Sequence, residues 1–280
     1  MSNIPAKVIR RFNETTKRFT KILEEAKVRD INESDTVKII YDILSDVFGY
    51  DKYLEITSEF QIRGTYCDLA IKDENDKIRY LIECKAIGSE LKENHLRQAI
   101  DYASRAGIDW TILTNGVDWE IYKVIFNKPV DKKLIFKFNL LLESVKDNKF
   151  TEKLYLLSKE ALKKSAIESF DKERKALDKY TIAAILQSDD VTKIVRSKLR
   201  SIFKDVSINK NLIEEIIRND ILKRELINSE KVYDASKALK RNSGKKRGRK
   251  GAATHHSDTD SDGQENVGDS IKSNNDPDNI

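Results

Sequence analysis

The stretch YLIECKAIG, Tyr80–Gly88, decides the fold. Its branched and apolar residues read as a strand, yet Glu83 and Lys85 interrupt it. Alternate residues of a strand share a face, so both charges point the same way. The segment before it, TYCDLAIK (65–72), is a second strand-like run, and the polar stretch DENDK (73–77) between them reads as a turn. A turn centred on Asn75-Asp76 sets Asp68 directly across from Glu83. Cys67, Leu69 and Ile71 then share one apolar face with Ile78, Tyr80, Ile82 and Cys84, while Asp68, Glu83 and Lys85 occupy the other. A slip of one residue would exchange the faces, so the apolar set pins this register.

Two carboxylates opposed across a ladder repel each other. A divalent cation offsets that repulsion, since two acidic oxygens hold it while water fills its remaining positions. Asp68 and Glu83 are therefore candidate metal ligands, and Lys85 on the same face is placed to orient the attacking water. That trio is a working unit for metal-assisted phosphodiester hydrolysis. The blander alternative is a surface Glu–Lys pair near a sheet edge.

The surrounding sequence supplies the rest of a fold. A leading helix up to about Asp30 carries the stripe Val8, Phe12, Phe19, Leu23 and Ala26. A second helix starts at Asn32, with Asp35 in the position of a capping-box partner. Its stripe runs Val37, Ile40, Tyr41, Leu44 and Val47 to Gly49. Glu33 lies on that sheet-facing stripe and is a candidate accessory acid; its alternative role is to stabilise the helix dipole. A strand-like run YLEITSEFQI (53–62) precedes the hairpin, and a helical pattern spans Leu91 to Ala106. On that later helix Gln98 and Tyr102 are four apart and share a face, suited to contacting a phosphate or the catalytic water. Then comes DWTILT (109–114), the hairpin signal Asn115-Gly116 expected to form a type I′ turn, VDWEIYKVI (117–125) and an edge-like strand KLIFKFNLL (133–141).

This order predicts an α/β fold, a mixed sheet flanked by helices. Four segments are expected: an N-terminal helix (1–30), the sheet domain (31–147), a small helical region (148–231) and a disordered tail (232–280). The tail is first basic, KRNSGKKRGRK (240–250), then acidic. Lys245, Lys246, Arg247, Arg249 and Lys250 are candidate salt-sensitive, sequence-independent DNA contacts. Residues Asp258–Asp269 match the ligand spacing of a calcium loop but lack flanking apolar helices, so they read as acidic tail. His255 and His256 have no Cys or further His nearby for zinc. Lys193, Arg196, Arg200 and Lys204 form a basic helical stripe that reads as a solvated face, with DNA contact as the alternative.

The chain has 280 residues, 39% hydrophobic and 35% charged, with a formal net charge of +5. No apolar run approaches the roughly 18 residues of a membrane span. The charged N-terminus has no signal-peptide core, and two cysteines fit a reducing compartment. A cytoplasmic protein without membrane contact is expected.

An Asp followed one hairpin later by Glu-x-Lys, with an acid in the preceding helix, resembles the PD-(D/E)xK nuclease superfamily. The strings NESDTVKIIYDILSDVFGYD, YCDLAI, LIECKAIG, LRQAIDYA and WTILTNGVDWEIYKV, within residues 32–142, resemble the N-terminal nuclease domain of type I restriction enzyme R subunits. The Gln-x-x-x-Tyr of Gln98 and Tyr102 is similar to a motif shared with RecB-like nucleases. The resemblance implies a restriction-endonuclease-like fold in which Asp68 and Glu83 ligate Mg²⁺. It makes Lys85 the water-positioning or charge-stabilising lysine, Glu33 an accessory acid, and Gln98 and Tyr102 supports for DNA or catalysis. Cys67 stands where the superfamily has its Pro. No G-x-x-x-x-G-K-[ST] occurs, so the ATP-driven motor of an R subunit is not expected of this chain. The functional expectation is a Mg²⁺-dependent DNA endonuclease or nickase working in restriction or phage defence, with restriction-system proteins as possible partners and no ATP. The rival expectation is a nuclease-like module that binds nucleic acid or protein and cuts nothing.

Overall fold

A computed structural model describes residues 4–62, 65–227 and 229–248, the side chains of 59–66 and 242–248 excepted. It divides into two compact units, Met1–Leu177 and Asp178–Ile280.

The first unit is built on one six-stranded sheet. Helices α1 (Ala6–Val28) and α2 (Glu33–Asp46) precede strands β1 (Ile56–Ile62), β2 (Thr65–Lys72) and β3 (Ile78–Cys84). Helix α3 (Glu93–Ala106) leads to β4 (Trp110–Thr114), β5 (Asp118–Ile125) and β6 (Asp131–Asn139). The strands lie in chain order, antiparallel except for β3 and β4. A parallel pair needs a crossover, and α3 provides it. The mixed sheet flanked by helices is the architecture expected from the sequence.

The sheet has two different faces. Leu69, Ile71, Tyr80, Ile82, Cys84, Ile112 and Trp119 pack into a large core with Phe12, Leu23, Ile40 and Leu44 of α1 and α2. The opposite face is smaller: Ala70, Leu81 and Leu113 meet Leu96, Ile100 and Ala103 of α3. From Leu69 to Ile71 the hairpin register is as read from the sequence, with Leu69 opposite Ile82, Ala70 opposite Leu81 and Ile71 opposite Tyr80. A register shift then sets Lys72 opposite Ile78, and Ile78 packs on the α3 side instead of in the large core.

Cys67 departs from the expectation. It joins Ala70 and Leu81 on the α3 side instead of Leu69 and Cys84 in the large core. The β2–β3 ladder runs only to Leu69–Ile82, and beyond it the Cys84 N–H donates to the Asp68 side chain at 2.7 Å. The β2–β3 ladder thus ends before Cys67 is reached, although β1 still pairs with Cys67 at Phe60. The Asn115-Gly116 turn also differs. Thr114 pairs with Trp119, which leaves a four-residue connection, and only Gly116 has positive φ, at 85°. A two-residue type I′ turn needs positive φ at both central residues. The Asn115 side chain instead accepts from the N–H groups of Val117 and Asp118.

The expected boundary at residue 148 falls inside this unit. Helices α4 (Asn148–Leu156), α5 (Lys159–Lys163) and α6 (Ala166–Ala176) bury Phe150, Leu154, Leu162 and Ile167 in the large core. With α1 and α2 they form the helical cover of that apolar sheet face. Ile167→Val is therefore expected to destabilise the sheet by about 1 kcal/mol, the usual scale for deleting one buried methylene-sized group. Both tryptophans of the chain, Trp110 and Trp119, lie in the sheet, so fluorescence-monitored urea unfolding reads it directly. An unchanged midpoint would make these helices an appendage after all.

The second unit is helical: α7 (Lys179–Leu186), α8 (Asp189–Ile202), α9 (Lys210–Ile216), a π-helical turn Ile217–Ile221, α10 (Arg224–Ile227) and α11 (Glu230–Gly248). Its core gathers Ala183, Ala184, Ile213, Ile217, Leu222 and Val232. Residues 230–248 are thus helical where composition alone suggested disorder. Val232, Ala235 and Leu239 place an apolar stripe against that core, and packing of such a stripe supplies most helix stability. In the basic stripe on α8, Arg196 donates to the Ile208 carbonyl, Lys193 pairs with Asp189, and Lys204 lies past the helix end. Arg249, Lys250, His255, His256 and the Asp258–Asp269 segment lie outside the described residues, as do the side chains of Lys245, Lys246 and Arg247. Among the described residues, no helix is long and apolar enough to cross a membrane.

Candidate active site

Glu83 stands on the β3 face that α3 covers, two residues after Leu81, and is only 2% exposed. An ionised carboxylate there needs partners. Lys85 supplies one, its Nζ 2.9 Å from Glu83 Oε1. The same Nζ lies 3.6 Å from Oε2 of Glu33, which is half exposed in the first turn of α2. Asp68 sits one position beyond the last β2–β3 ladder pair, its Oδ2 accepting the Cys84 N–H. The structure therefore brings together Glu33, Asp68, Glu83 and Lys85, from one helix, two strands and the residue after the second of them.

Each element has a local reason to be where it is. Asn32 caps α2, its side chain accepting the Asp35 N–H at 2.9 Å, which starts the helix one residue before Glu33. The reciprocal half of the expected capping box is not made: the Asp35 carboxylate pairs with Lys38 instead. Lys85 lies just past β3 but keeps one sheet bond, its N–H donating to the Thr114 carbonyl at 2.8 Å.

Burial dominates the electrostatics. It pushes the Glu83 carboxyl above its ordinary value; the Lys85 hydrogen bond opposes this, and the charge of Asp68 adds to it. Asp68 is raised as well, by burial, against the Cys84 N–H that favours its anion. Burial works against the Lys85 ammonium, but the hydrogen bond to Glu83 and the charges of Glu83, Glu33 and Asp68 together hold it above its ordinary value. The thiols nearby are inert: burial pushes Cys67 up to about 12 and Cys84 well above its usual value.

Gln98 and Tyr102 form a second pair, on α3. Gln98 Nε2 donates to Tyr102 Oη at 2.7 Å, so the four-residue spacing gives a hydrogen bond between the two. Sequence reasoning missed His95. It is partly buried and accepts the Lys92 N–H on Nδ1 at 3.4 Å, which leaves Nε2 to carry the proton of the neutral ring. Burial, then the positive charges of Lys85 and Lys92, lower its basicity. The available signal was its position three residues before Gln98 and seven before Tyr102, on one helical face.

Among the described residues, no three His, Cys, Asp or Glu side chains gather closely enough to hold a metal by themselves. Asp68 is near enough to Glu83 for its charge to act on it, and Asp68 Oδ1 and Glu83 Oε2 accept no hydrogen bond from the described residues. That donor set suits a cation that keeps several waters of its own. No curated protein and no solved structure matches the chain. Residues 32–134 match the family described as Type I restriction enzyme R protein N terminus (HSDR_N), and they span every residue of this site.

Proposed function

We propose that this chain is a Mg²⁺-dependent DNA endonuclease or nickase of the PD-(D/E)xK type, acting in restriction without an ATP-driven motor. The observation that carries the reading is Glu83, nearly fully buried, bonded to Lys85 and raised further by Asp68. Two neighbouring buried acids sharing one lysine cost stability, and a nuclease site is a reason to keep them. The R protein N-terminal domain supports a restriction-related nuclease role.

Asp68 and Glu83 would hold Mg²⁺, with water and the DNA phosphate completing its shell. Bound there, the ion supplies positive charge to the scissile phosphate and the attacking water. Lys85 carries a full positive charge at neutral pH, and its contact with Glu83 fixes the ammonium beside the acids. There it orients the water or stabilises charge growing on the phosphate oxygens. Glu33, half exposed, faces Lys85 from the open side and is placed to accept a proton from water. Gln98 and Tyr102 present an amide and a phenol from α3 for the DNA backbone.

Incubation of supercoiled plasmid with the protein and Mg²⁺, but no ATP, is expected to give nicked or linear product that EDTA suppresses. Plasmid left intact under both conditions would remove the nuclease reading. One observation favours the rival, a nuclease-fold module that binds and does not cut: Lys85 already neutralises Glu83 without a metal. That module would retain DNA on a gel with or without Mg²⁺ and leave it whole.

A further inference from the structure

The connection from Lys85 to α3 is short, and two buried polar side chains hydrogen-bond to it. It folds into a turn in which the Ser89 N–H donates to the Ala86 carbonyl at 2.8 Å. The first is Thr36 of α2, fully buried. Its hydroxyl accepts the Ile87 N–H at 3.1 Å and donates to the Asn32 carbonyl at 2.8 Å. Asn32 is the cap of the helix whose next residue is Glu33. One hydroxyl thus ties the turn that carries Lys85 to the turn that carries Glu33. The second is Asn115, 4% exposed, whose Nδ2 donates to the Ser89 carbonyl at 2.9 Å. Its Oδ1 is already committed to Val117 and Asp118.

The space around this clamp is filled. A Cβ on Gly88 would lie 2.3 Å from Asp30 Oδ1, and one on Gly116 would lie 3.3 Å from Leu23 and 3.8 Å from Thr36. Ile87 is 2% exposed in the large core. A turn at the protein surface does not need two buried hydrogen-bonding side chains merely to exist; satisfied networks of this sort fix one geometry. We propose that Thr36 and Asn115 are positioning residues of the active site. Thr36 sets Glu33 against Lys85, and Asn115 sets the path from Lys85 to the α3 face bearing His95, Gln98 and Tyr102. The inference rests on the nuclease reading for its consequence, although the clamp itself stands on geometry.

Thr36→Val keeps the shape and removes the hydroxyl. It is expected to lower single-turnover plasmid cleavage by about 10-fold or more, the scale for losing a group that orients a catalytic side chain, with DNA affinity unchanged. Thr36→Ser should restore the rate. Because Thr36 acts through Glu33, the loss should shrink towards none in a Glu33→Gln background. Amide exchange at Ile87 and Ser89 reads the clamp independently of cutting, and Thr36→Val should raise it there and in the first turn of α2. Wild-type rate in Thr36→Val, or losses that simply multiply with Glu33→Gln, would overturn the positioning role while leaving the nuclease intact. Unchanged exchange at Ile87 would overturn the clamp. A wild-type protein that fails to cut while Ile87 still responds would overturn the nuclease reading alone.

Discussion

Asp68→Asn is expected to abolish Mg²⁺-dependent cleavage, by about 10³-fold or more, and to raise the melting temperature. The two effects share one cause. Asp68 is held above the usual carboxylate range because burial disfavours its charge. The folded state therefore binds that proton more tightly than the unfolded chain does. Stability contributed by such a group is present at low pH and is lost as pH rises through the folded value. At pH 7 the charge is a standing cost. Asparagine removes it and still offers an oxygen to the Cys84 N–H, now at 2.7 Å from Asp68 Oδ2. A gain of about 1–3 °C at pH 7 is expected for a unit of this size, shrinking as the pH is lowered towards about 4. Mg²⁺ should raise the melting temperature of the wild type, since a ligand of the folded state stabilises it by mass action, and should leave the variant unmoved. Scanning calorimetry at two pH values, with and without Mg²⁺, measures both. A variant that is destabilised at pH 7, or that retains the Mg²⁺ response, would show that Asp68 serves structure and holds no metal.

How much of this was legible in the sequence depends on the range of the interaction. The β2–β3 register from Leu69 to Ile71 was legible, because Leu69, Ile71, Tyr80, Ile82 and Cys84 need one common apolar face. The Asn32 cap was legible for the same reason: it lies within three residues of its acceptor role. Cys67 was not, because alternation presumes a ladder, and here a side chain of the strand, Asp68, takes the N–H that a ladder would have used. Asn115-Gly116 misled because the dipeptide signals a turn by backbone preference alone, whereas Asn115 is committed to Val117, Asp118 and the distant Ser89. The burial of Glu83 could be suspected from its apolar neighbours. That α3 covers it follows from the crossover between β3 and β4, a tertiary fact. Helices α4 to α6 and α11 were misjudged because composition and sequence order do not reveal which core an apolar stripe will join.

Lys85→Ala should differ from Asp68→Asn in kind, and the contrast separates the two roles. Removing the ammonium leaves Glu83, 2% exposed, without its hydrogen-bonded cation. Its carboxyl, already raised by burial, should rise further. The variant should therefore melt below the wild type at neutral pH, because breaking a buried pair strands a charge. Mg²⁺ can replace that charge, so the Mg²⁺-induced rise in melting temperature should equal or exceed the wild-type rise. Cleavage should nonetheless fall by about 10²-fold or more, the scale for losing one electrostatic contact to a transition state. The acid side of any residual pH–rate profile should move upward, since Glu83 must now ionise without help. DNA binding in Ca²⁺, a cation of similar oxygen preference, should survive. Single-turnover nicking beside a metal titration of the melting temperature reads all of these. If Lys85→Ala cuts at the wild-type rate, Lys85 and Glu83 are a structural ion pair, and the domain is better understood as a module that holds DNA for another protein to cut.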